Sequence, residues 1–458
     1  SLKNRLYNSS KLDWENLLFS KKTLWALLIP IMVEQLLNAL MGMADTMMVS
    51  NVGSAAVSAV SLVDSINMLV IQVFAALSTG AAIICSQYLG QKNDKMCNQA
   101  ARQIFLTVIV ISGTLMLVCL IFCKPLLRLV FGAVEEDVMN GAVSYFLITA
   151  IAYPFLALFD VGAAFYRAGG NSRFPMLISV ISNTMNIAGN AILIFGCGMG
   201  VAGAALSTLF SRIFAAGIVL FYLRKPRQVI VLRDYFKIRP DMPMISKILA
   251  IGIPAGVENG MFQFGKLAIQ STVSTLGTQA IAAQALTIVL ENLNGIASMG
   301  VGIGLMTVAG QTFGAGRTEE GKYYIVKLTW YGEIGLILSC LLTFAAGRPI
   351  MYLAGMEPES MRMCYEMLVA ITIAKPLLWA LGFIPAYGLR AAGDVKFSMI
   401  VSICTMWFCR VALAIYLIRF QGFGPIAVWI GMFADWGIRG FIFSWRFLSG
   451  KWLQKKVI

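Results

Sequence analysis

The stretch Ile29-Pro30-Ile31-Met32-Val33-Glu34 returns 224 residues later as Ile253-Pro254-Ala255-Gly256-Val257-Glu258, with the same isoleucine, proline, valine and glutamate. A second offset, of 223 residues, aligns Arg167-Ala168 with Arg390-Ala391. An internal repeat of this length in an apolar chain is typical of transporters whose two halves move against each other. Further pairs at the first offset are Gly53 with Gly277, Gly80 with Gly304, Gln87 with Gln311 and Gly90 with Gly314.

The composition predicts a membrane protein. Hydrophobic residues make up 59% of the 458 residues and charged residues only 13%, whereas about a quarter of a soluble globular protein is charged. A helix that spans a bilayer needs roughly 20 apolar residues. Twelve such stretches are visible, near residues 23–48, 56–88, 104–122, 141–166, 174–195, 201–223, 245–272, 281–309, 325–346, 364–388, 397–418 and 425–445.

Most lysine and arginine residues fall in the loops on one side of these spans, together with both ends of the chain, which marks that side as cytoplasmic. Six spans per repeat bring the chain back to the same side. We therefore predict an all-α membrane protein of twelve transmembrane helices in two six-helix lobes, related by a pseudo-two-fold axis along the membrane normal. The predicted domains are an N-terminal lobe at 1–224, a cytoplasmic linker at 225–247 and a C-terminal lobe at 248–458. The spacing of Leu12, Trp14, Leu17 and Leu18 predicts a short amphipathic helix before the first span.

Several classes of partner and activity are disfavoured. The net charge of +14 matches the cytoplasmic loops and lipid headgroups, so it does not require nucleic acid. The nine cysteines show neither CxxC pairs nor zinc spacing, and no P-loop is present. We expect a non-enzymatic monomer that has no cofactor and contacts membrane lipids and small organic molecules.

Polar residues inside the first-half spans are the main functional candidates, because a charge is costly in a bilayer. Two stripes at helical spacing are visible, one on the first span and one on the fifth. Carboxylate and amide oxygens that converge between two helices can hold Na⁺, or can exchange a proton. The stripes are Glu34, Asn38 and Asp45 on the first span and Asn183, Asn186 and Asn190 on the fifth.

Asp45 is the principal candidate for binding the coupling cation, and Asp160 on the fourth span could supply a second carboxylate to the same cavity. The alternative is that these groups only bond one helix to another. Because the chain has no histidine, any proton coupling must use carboxylates. Asp64 and Glu291 lie in equivalent second spans and could line the cavity.

The second half keeps the spacing but changes the chemistry. Ile269 stands where the first half has Asp45, so the ion-exchanging site is predicted mainly in the first half. Lys266 is expected to neutralise Glu258 or Glu291, either as a gating pair or as a static structural pair. Asp435 and Arg439, four residues apart on the last span, favour a same-face ion pair. The candidates for cavity or gating roles are Asn38, Asn183, Glu258, Asn259, Gln263, Lys266 and Glu291.

At these residues the chain resembles the multidrug and toxic compound extrusion family, over about residues 20 to 450. The resemblance implies two six-helix lobes around a central cavity, and export of organic, often cationic, compounds driven by inward Na⁺ or H⁺. Asp45, Asn186 and Asn190 look like the first-lobe coupling site, with Na⁺ as one possible ligand. The motifs are Pro30-x-x-x-Glu34, Ala44-Asp45-Thr46, Gly162-Ala163-Ala164-Phe165-Tyr166-Arg167-Ala168, Asn186-x-x-x-Asn190, Pro254-x-x-x-Glu258, Gly310-Gln311-x-x-Gly314 and Arg390-Ala391-Ala392-Gly393-Asp394.

The chain departs from this family pattern in its second half. Glu258 lies one turn earlier than the glutamate that some members use, and the tenth span lacks the accompanying aspartate. Our interpretation is a multi-pass secondary antiporter of a bacterial plasma membrane, with both termini cytoplasmic. The alternatives are a lipid-linked oligosaccharide flippase of the same superfamily and a membrane protein without transport activity.

Overall fold

Every regular element is helical in the computed structural model, which describes residues 2–132 and 134–458. The α-helices of these residues are α1 (Leu2–Leu6), α2 (Lys21–Ser50), α3 (Ser54–Gly90), α4 (Asp94–Ile121), α5 (Cys123–Phe131), α6 (Glu136–Ile151), α7 (Tyr153–Ala168), α8 (Arg173–Asn190), α9 (Val201–Leu223), α10 (Met242–Val273), α11 (Thr278–Gly314), α12 (Thr318–Leu353), α13 (Pro358–Ala391), α14 (Val395–Cys404), α15 (Ala412–Phe420) and α16 (Ile426–Ser449).

The twelve predicted apolar stretches all coincide with helices. Ten helices of the described residues are long and apolar enough to cross a membrane, when Val395–Phe420 is taken as one. The pair α6 and α7, which meets at a bend of 43°, would be an eleventh. Helix α10 is not among them, since it carries Glu258, Asn259, Gln263 and Lys266.

The fifth predicted span of each half contains a π-helical segment. One segment, Ala191–Gly196, directly follows α8, and the other, Thr405–Val411, joins α14 to α15. Such segments are rare and occur frequently at functional sites. The first of them begins one residue after Asn190.

The chain forms two compact units. Val33–Gly256 is called the N unit here, and Ser1–Met32 together with Val257–Ile458 the C unit. The boundaries lie inside α2 and α10, because α2 up to Met32 packs in the C unit and α10 up to Gly256 packs in the N unit. The predicted linker, 225–247, falls within the N unit. In both helices an internal proline, Pro30 or Pro254, lies shortly before the boundary, where it removes a backbone hydrogen bond.

Buried apolar side chains show how these first turns pack. In the C unit, Leu24 and Leu28 of α2 belong to one core cluster with Leu305 of α11. A Cβ atom added to Gly304 would lie 2.3 Å from Leu28 Cδ2, so the glycine permits this close approach. In the N unit, a Cβ added to Gly80 of α3 would lie 3.7 Å from the backbone oxygen of Ile248 on α10.

The segment before α2 differs from the prediction. Residues 12–20 are not helical, and only α1 and a 3₁₀ turn, Ser9–Lys11, precede them. The backbone N–H groups of Leu18 and Phe19 donate to Glu320 Oε1 at 2.6 Å and to the Tyr324 hydroxyl at 2.7 Å. These N–H groups find partners on α12, which removes the need for the helical hydrogen bonds of an amphipathic helix.

Candidate ion-coupling and substrate site

The two predicted polar stripes of the first half face each other on α2 and α8. Ser179 Oγ donates to Glu34 Oε1 at 3.0 Å, and Asn183 Nδ2 donates to Asn38 Oδ1 at 3.1 Å. Both contacts join residues 145 positions apart, so the two helices run side by side in the same direction. The helical spacing of the polar residues thus produces a ladder of contacts between the helices.

Asp45 is the next step of this ladder and is held by two amides. Asn186 Nδ2 donates to its two carboxylate oxygens at 2.9 and 3.1 Å, and Asn190 Nδ2 donates to Oδ1. The Asn186 amide is oriented in turn by the hydroxyls of Ser207 and Thr208 on α9, which donate to its Oδ1 at 3.0 and 3.4 Å. In contrast, Asn190 Oδ1 is buried and has no hydrogen-bond partner among the described residues.

A cavity of about 680 Å³ in the N unit reaches this cluster. Its size is in the range of drug-binding pockets, and both Asp45 and Asn38 line it. The rest of its wall combines polar residues with aromatic and apolar side chains. Among the latter are Val49, Val57, Val60, Met68, Ile71, Tyr145, Tyr153 and Leu156.

Asp64 of α3 supplies a second carboxylate to this cavity, as the sequence suggested. Its Oδ1 accepts from the Tyr145 hydroxyl at 3.1 Å and from Asn67 Nδ2 at 3.4 Å. The Tyr153 hydroxyl holds Asn67 by donating to its Oδ1 at 2.5 Å. The network fixes the Asp64 carboxylate in a cavity that Tyr145 and Tyr153 also line, a combination that suits an organic cation.

Arg212 of α9 also lines the cavity, although no role was predicted for it from the sequence. Its guanidinium forms neither an ion pair nor a hydrogen bond with any residue that the structure describes. An arginine inside a span is costly and usually functional, and it lies one helical turn after the cavity-lining Thr208. In the sequence, the available signal was the presence of an arginine inside a span.

Asp160 does not join this group as expected. It is not among the residues that line the cavity, and its half-buried side chain has no hydrogen bond with Asp45 in the described part of the chain. Its backbone oxygen accepts from Ser78 Oγ at 3.2 Å. It lies on α7, which packs mainly against α3, α4 and α9.

An ion pair recurs at the repeated glutamates. Arg167 Nη2 lies 2.6 Å from Glu34 Oε2 in the N unit, and Arg390 Nη2 lies 2.6 Å from Glu258 Oε1 in the C unit. All four residues belong to the repeat that the sequence shows. Glu34 is therefore bound to Arg167, and not to the amides of Asn186 and Asn190 that hold Asp45. The two ion pairs occupy equivalent positions in the two halves.

The second-half candidates lie in a different chemical setting. Glu291 pairs with Lys375, whose Nζ lies 2.7 Å from Oε1 and donates to Asn294 Oδ1 at 2.6 Å. The partners of Glu258 and Glu291 in this structure are thus Arg390 and Lys375, and not Lys266, which is exposed on α10. Asn259 and Gln263 are half-buried on α10.

The position that corresponds to Asp45 is apolar in the C unit. Ile269 packs in a buried cluster with Met406 and Val411 of the π-helical segment. The equivalent helices therefore meet through apolar contacts where the N unit has a carboxylate and two amides. This contrast supports placing the ion-exchanging group in the first half.

Asp435 of α16 is fully buried between two arginines. The predicted ion pair with Arg439 is confirmed, with Nη2 3.2 Å from Oδ1, and Arg410 Nη2 lies 2.6 Å from Oδ2. Arg410 lies in the π-helical segment Thr405–Val411. This second partner was not predictable from spacing, because Arg410 is distant from Asp435 along the chain.

A chain of many apolar helices with a charged cavity among them has the architecture of a membrane transport protein. The sequence model of the MatE family matches residues 30–192 and again 254–416. The chain therefore belongs to the MatE family of transporters. The two matches begin 224 residues apart, since 254 − 30 = 224, which confirms the internal repeat.

Relatives and solved structures agree with this assignment. The chain is 27% identical to the probable multidrug resistance protein NorM of Thermotoga maritima, over 96% of this chain and 94% of that protein. It is 25% identical to the multidrug export protein MepA of Staphylococcus aureus, over 82% of each. Its fold is similar to that of a MOP superfamily transporter from Pyrococcus furiosus, with a TM-score of 0.87, 20% identity and coverage of 99% and 98%.

Proposed function

We propose that the protein is a secondary antiporter that exports organic, often cationic and amphiphilic, compounds in exchange for inward H⁺ or Na⁺. It acts as a monomer of twelve transmembrane helices in two six-helix lobes, in a bacterial plasma membrane with both ends of this chain in the cytoplasm. The similarity to the multidrug resistance protein NorM and the multidrug export protein MepA supports the export of drugs. The internal repeat and the internal prolines support alternating access.

The observation that carries this proposal is the setting of Asp45, a carboxylate inside the spanning region that borders a cavity and is held by Asn186 and Asn190. Both amides donate to it, as they would to an ionised carboxylate. A proton or Na⁺ on Asp45 needs an oxygen partner instead. Asn190 Oδ1, which is buried and has no partner among the residues that the structure describes, becomes that partner if the amide rotates by half a turn.

Binding at this site couples to transport if the cation and the drug favour different states. Neutralising Asp45 changes the hydrogen bonds between α2 and α8, and so biases the N unit between two packings. A drug that binds better to the other packing is then linked to the cation by reciprocity. Asp64, with Tyr145 and Tyr153, forms the part of the wall that suits a cationic drug.

The test is export of ethidium from proteoliposomes that contain the purified protein. A pH gradient and a Na⁺ gradient are imposed separately, at zero membrane potential. We expect at least one of the two gradients to drive ethidium against its own gradient, because an incoming cation on Asp45 is exchanged for the drug. Transport that neither gradient accelerates would contradict an antiport mechanism.

We expect Arg212→Gln to increase the affinity for ethidium. A fixed positive charge in the same cavity opposes a cationic ligand by on the order of 1 kcal/mol or more, and roughly tenfold tighter binding corresponds to about 1.4 kcal/mol. Fluorescence titration of purified protein measures the effect. The matched control is Arg212→Lys, which keeps the charge and should keep the affinity. An unchanged affinity in Arg212→Gln, or an equal gain in both variants, would contradict this role for the charge.

A further inference from the structure

A second pocket of the N unit, of about 470 Å³, shares no lining residue with the cavity of Asp45. It lies between the first turns of α4 and the connection that leads into α10. Basic residues dominate its lining, and Asp241 is the one acidic residue in it. The basic residues are Lys95, Arg102, Lys237 and Arg239.

Side chains of α4 build this pocket by fixing the connection in place. Gln103 Nε2 donates to the backbone oxygen of Arg239 at 2.8 Å, and the backbone N–H of Asp241 donates to Gln103 Oε1 at 3.0 Å. Gln99 Nε2 donates to Asp241 Oδ2 at 2.6 Å. These contacts are made by neutral amides, so they hold the backbone without neutralising the basic side chains.

Most of the positive charge of the pocket is uncompensated, since four basic side chains share it with a single carboxylate. None of the four basic side chains forms an ion pair with a residue in the described ranges, and the carboxylate of Asp241 is already bound to Gln99. Arg102 Nε is buried and has no hydrogen-bond partner there. A buried guanidinium N–H without a partner, in a pocket of four cations, indicates an anionic ligand with several oxygens.

The position of the pocket along α4 points to the membrane surface. Helix α4 begins at Asp94, and its exposed apolar side chains begin at Ile109 and Val110. Arg102 precedes Val110 by eight residues, which is roughly 12 Å along a helix axis at 1.5 Å per residue. The pocket thus lies just beyond the lipid-facing part of α4, at the depth of lipid headgroups.

We propose that this pocket binds the phosphate of an anionic phospholipid headgroup. Arginine matches phosphate oxygens with paired donors, and basic pockets between helices on the cytoplasmic side are suited to anionic headgroups. The bound lipid fixes the first turns of α4 to the connection between the two repeats. A free phosphate ion has the same binding chemistry, so the experiment separates the two sources.

The experiment counts lipids retained by the purified full-length protein in native mass spectrometry, after exchange into equal amounts of phosphatidylglycerol and phosphatidylcholine. We expect the protein to retain phosphatidylglycerol preferentially. The double variant Arg102→Gln/Arg239→Gln should lower this preference at least threefold. The matched control is Lys225→Gln/Arg227→Gln, which removes the same charge from exposed positions of the same connection outside the pocket and should keep the preference.

Three outcomes would overturn the proposal. One is no preference for phosphatidylglycerol, and another is an equal loss in the control, which would indicate only general surface charge. The third is that millimolar inorganic phosphate displaces the lipid completely, which would assign the pocket to a soluble anion. Ethidium binding by each variant verifies folding, and Arg102→Lys/Arg239→Lys provides a charged variant if the glutamine variant does not fold.

Discussion

Asp45→Asn is expected to abolish ion-driven export of ethidium and to leave the protein folded. An asparagine has the shape of the aspartate and keeps hydrogen-bonding groups for Asn186 and Asn190, but it neither takes up a proton nor attracts Na⁺. Export from proteoliposomes under either gradient should fall to the leak of protein-free liposomes. Thermal unfolding in detergent should change little, because the substitution removes a buried charge and adds no bulk.

The matched control for this prediction is Asp64→Asn, in the same cavity. Asp64 is bound to Tyr145 and Asn67 and not to the two amides of α8. Its substitution should weaken ethidium binding, since it removes a negative charge next to aromatic rings, yet transport should still respond to the gradient at saturating ethidium. Full export by Asp45→Asn, or loss of gradient dependence only in Asp64→Asn, would contradict the assignment.

Asp435→Asn is expected to have the largest effect on stability. The carboxylate is fully buried and contacts Arg410 at 2.6 Å and Arg439 at 3.2 Å. Its neutralisation leaves two buried guanidinium groups without a counter-charge, and breaking a buried ion pair in this way costs about 3–5 kcal/mol. A lower unfolding temperature in detergent and a lower yield of monodisperse protein should result.

Two further variants test the origin of that loss. Glu366→Gln removes a carboxylate from a pair with Arg362 in which both side chains are more than half exposed, so it should change the unfolding temperature little. The triple replacement Asp435→Leu/Arg410→Met/Arg439→Leu removes all three charges together. It should be less destabilised than Asp435→Asn, because no charge is left unpaired. Equal stability of Asp435→Asn and the wild type would contradict this account.

The repeat and the polar stripes were predictable because they depend on local periodicity. A spacing of three, four or seven residues places Glu34, Asn38 and Asp45 on one face of a helix whatever surrounds it. The matched proline and glutamate identify the equivalent helix of the second half. Asn186 and Asn190 form a similar stripe on α8, so their contacts with Asp45 follow once α2 and α8 are adjacent.

The remaining features depend on tertiary contacts that periodicity does not determine. Arg410 of the π-helical segment Thr405–Val411 forms an ion pair with Asp435 of α16. Arg212 borders the cavity only because of how α9 packs. The boundaries of the two units fall inside α2 and α10 because each helix packs its first turns in one unit and its later turns in the other. Polar partners for the backbone of residues 18 and 19 come from α12, about 300 residues away.

Cation release on drug binding is the decisive measurement of whether Asp45 alternately binds and releases the coupling cation. Ethidium is added to purified protein in weakly buffered solution, and proton release is followed with a pH indicator and ²²Na⁺ release by filtration. We expect the wild type and Asp64→Asn, at saturating ethidium, to release one of these cations. Asp45→Asn should bind ethidium but release neither cation. Equal release by Asp45→Asn and the wild type would contradict the role of Asp45 as the cation-binding group.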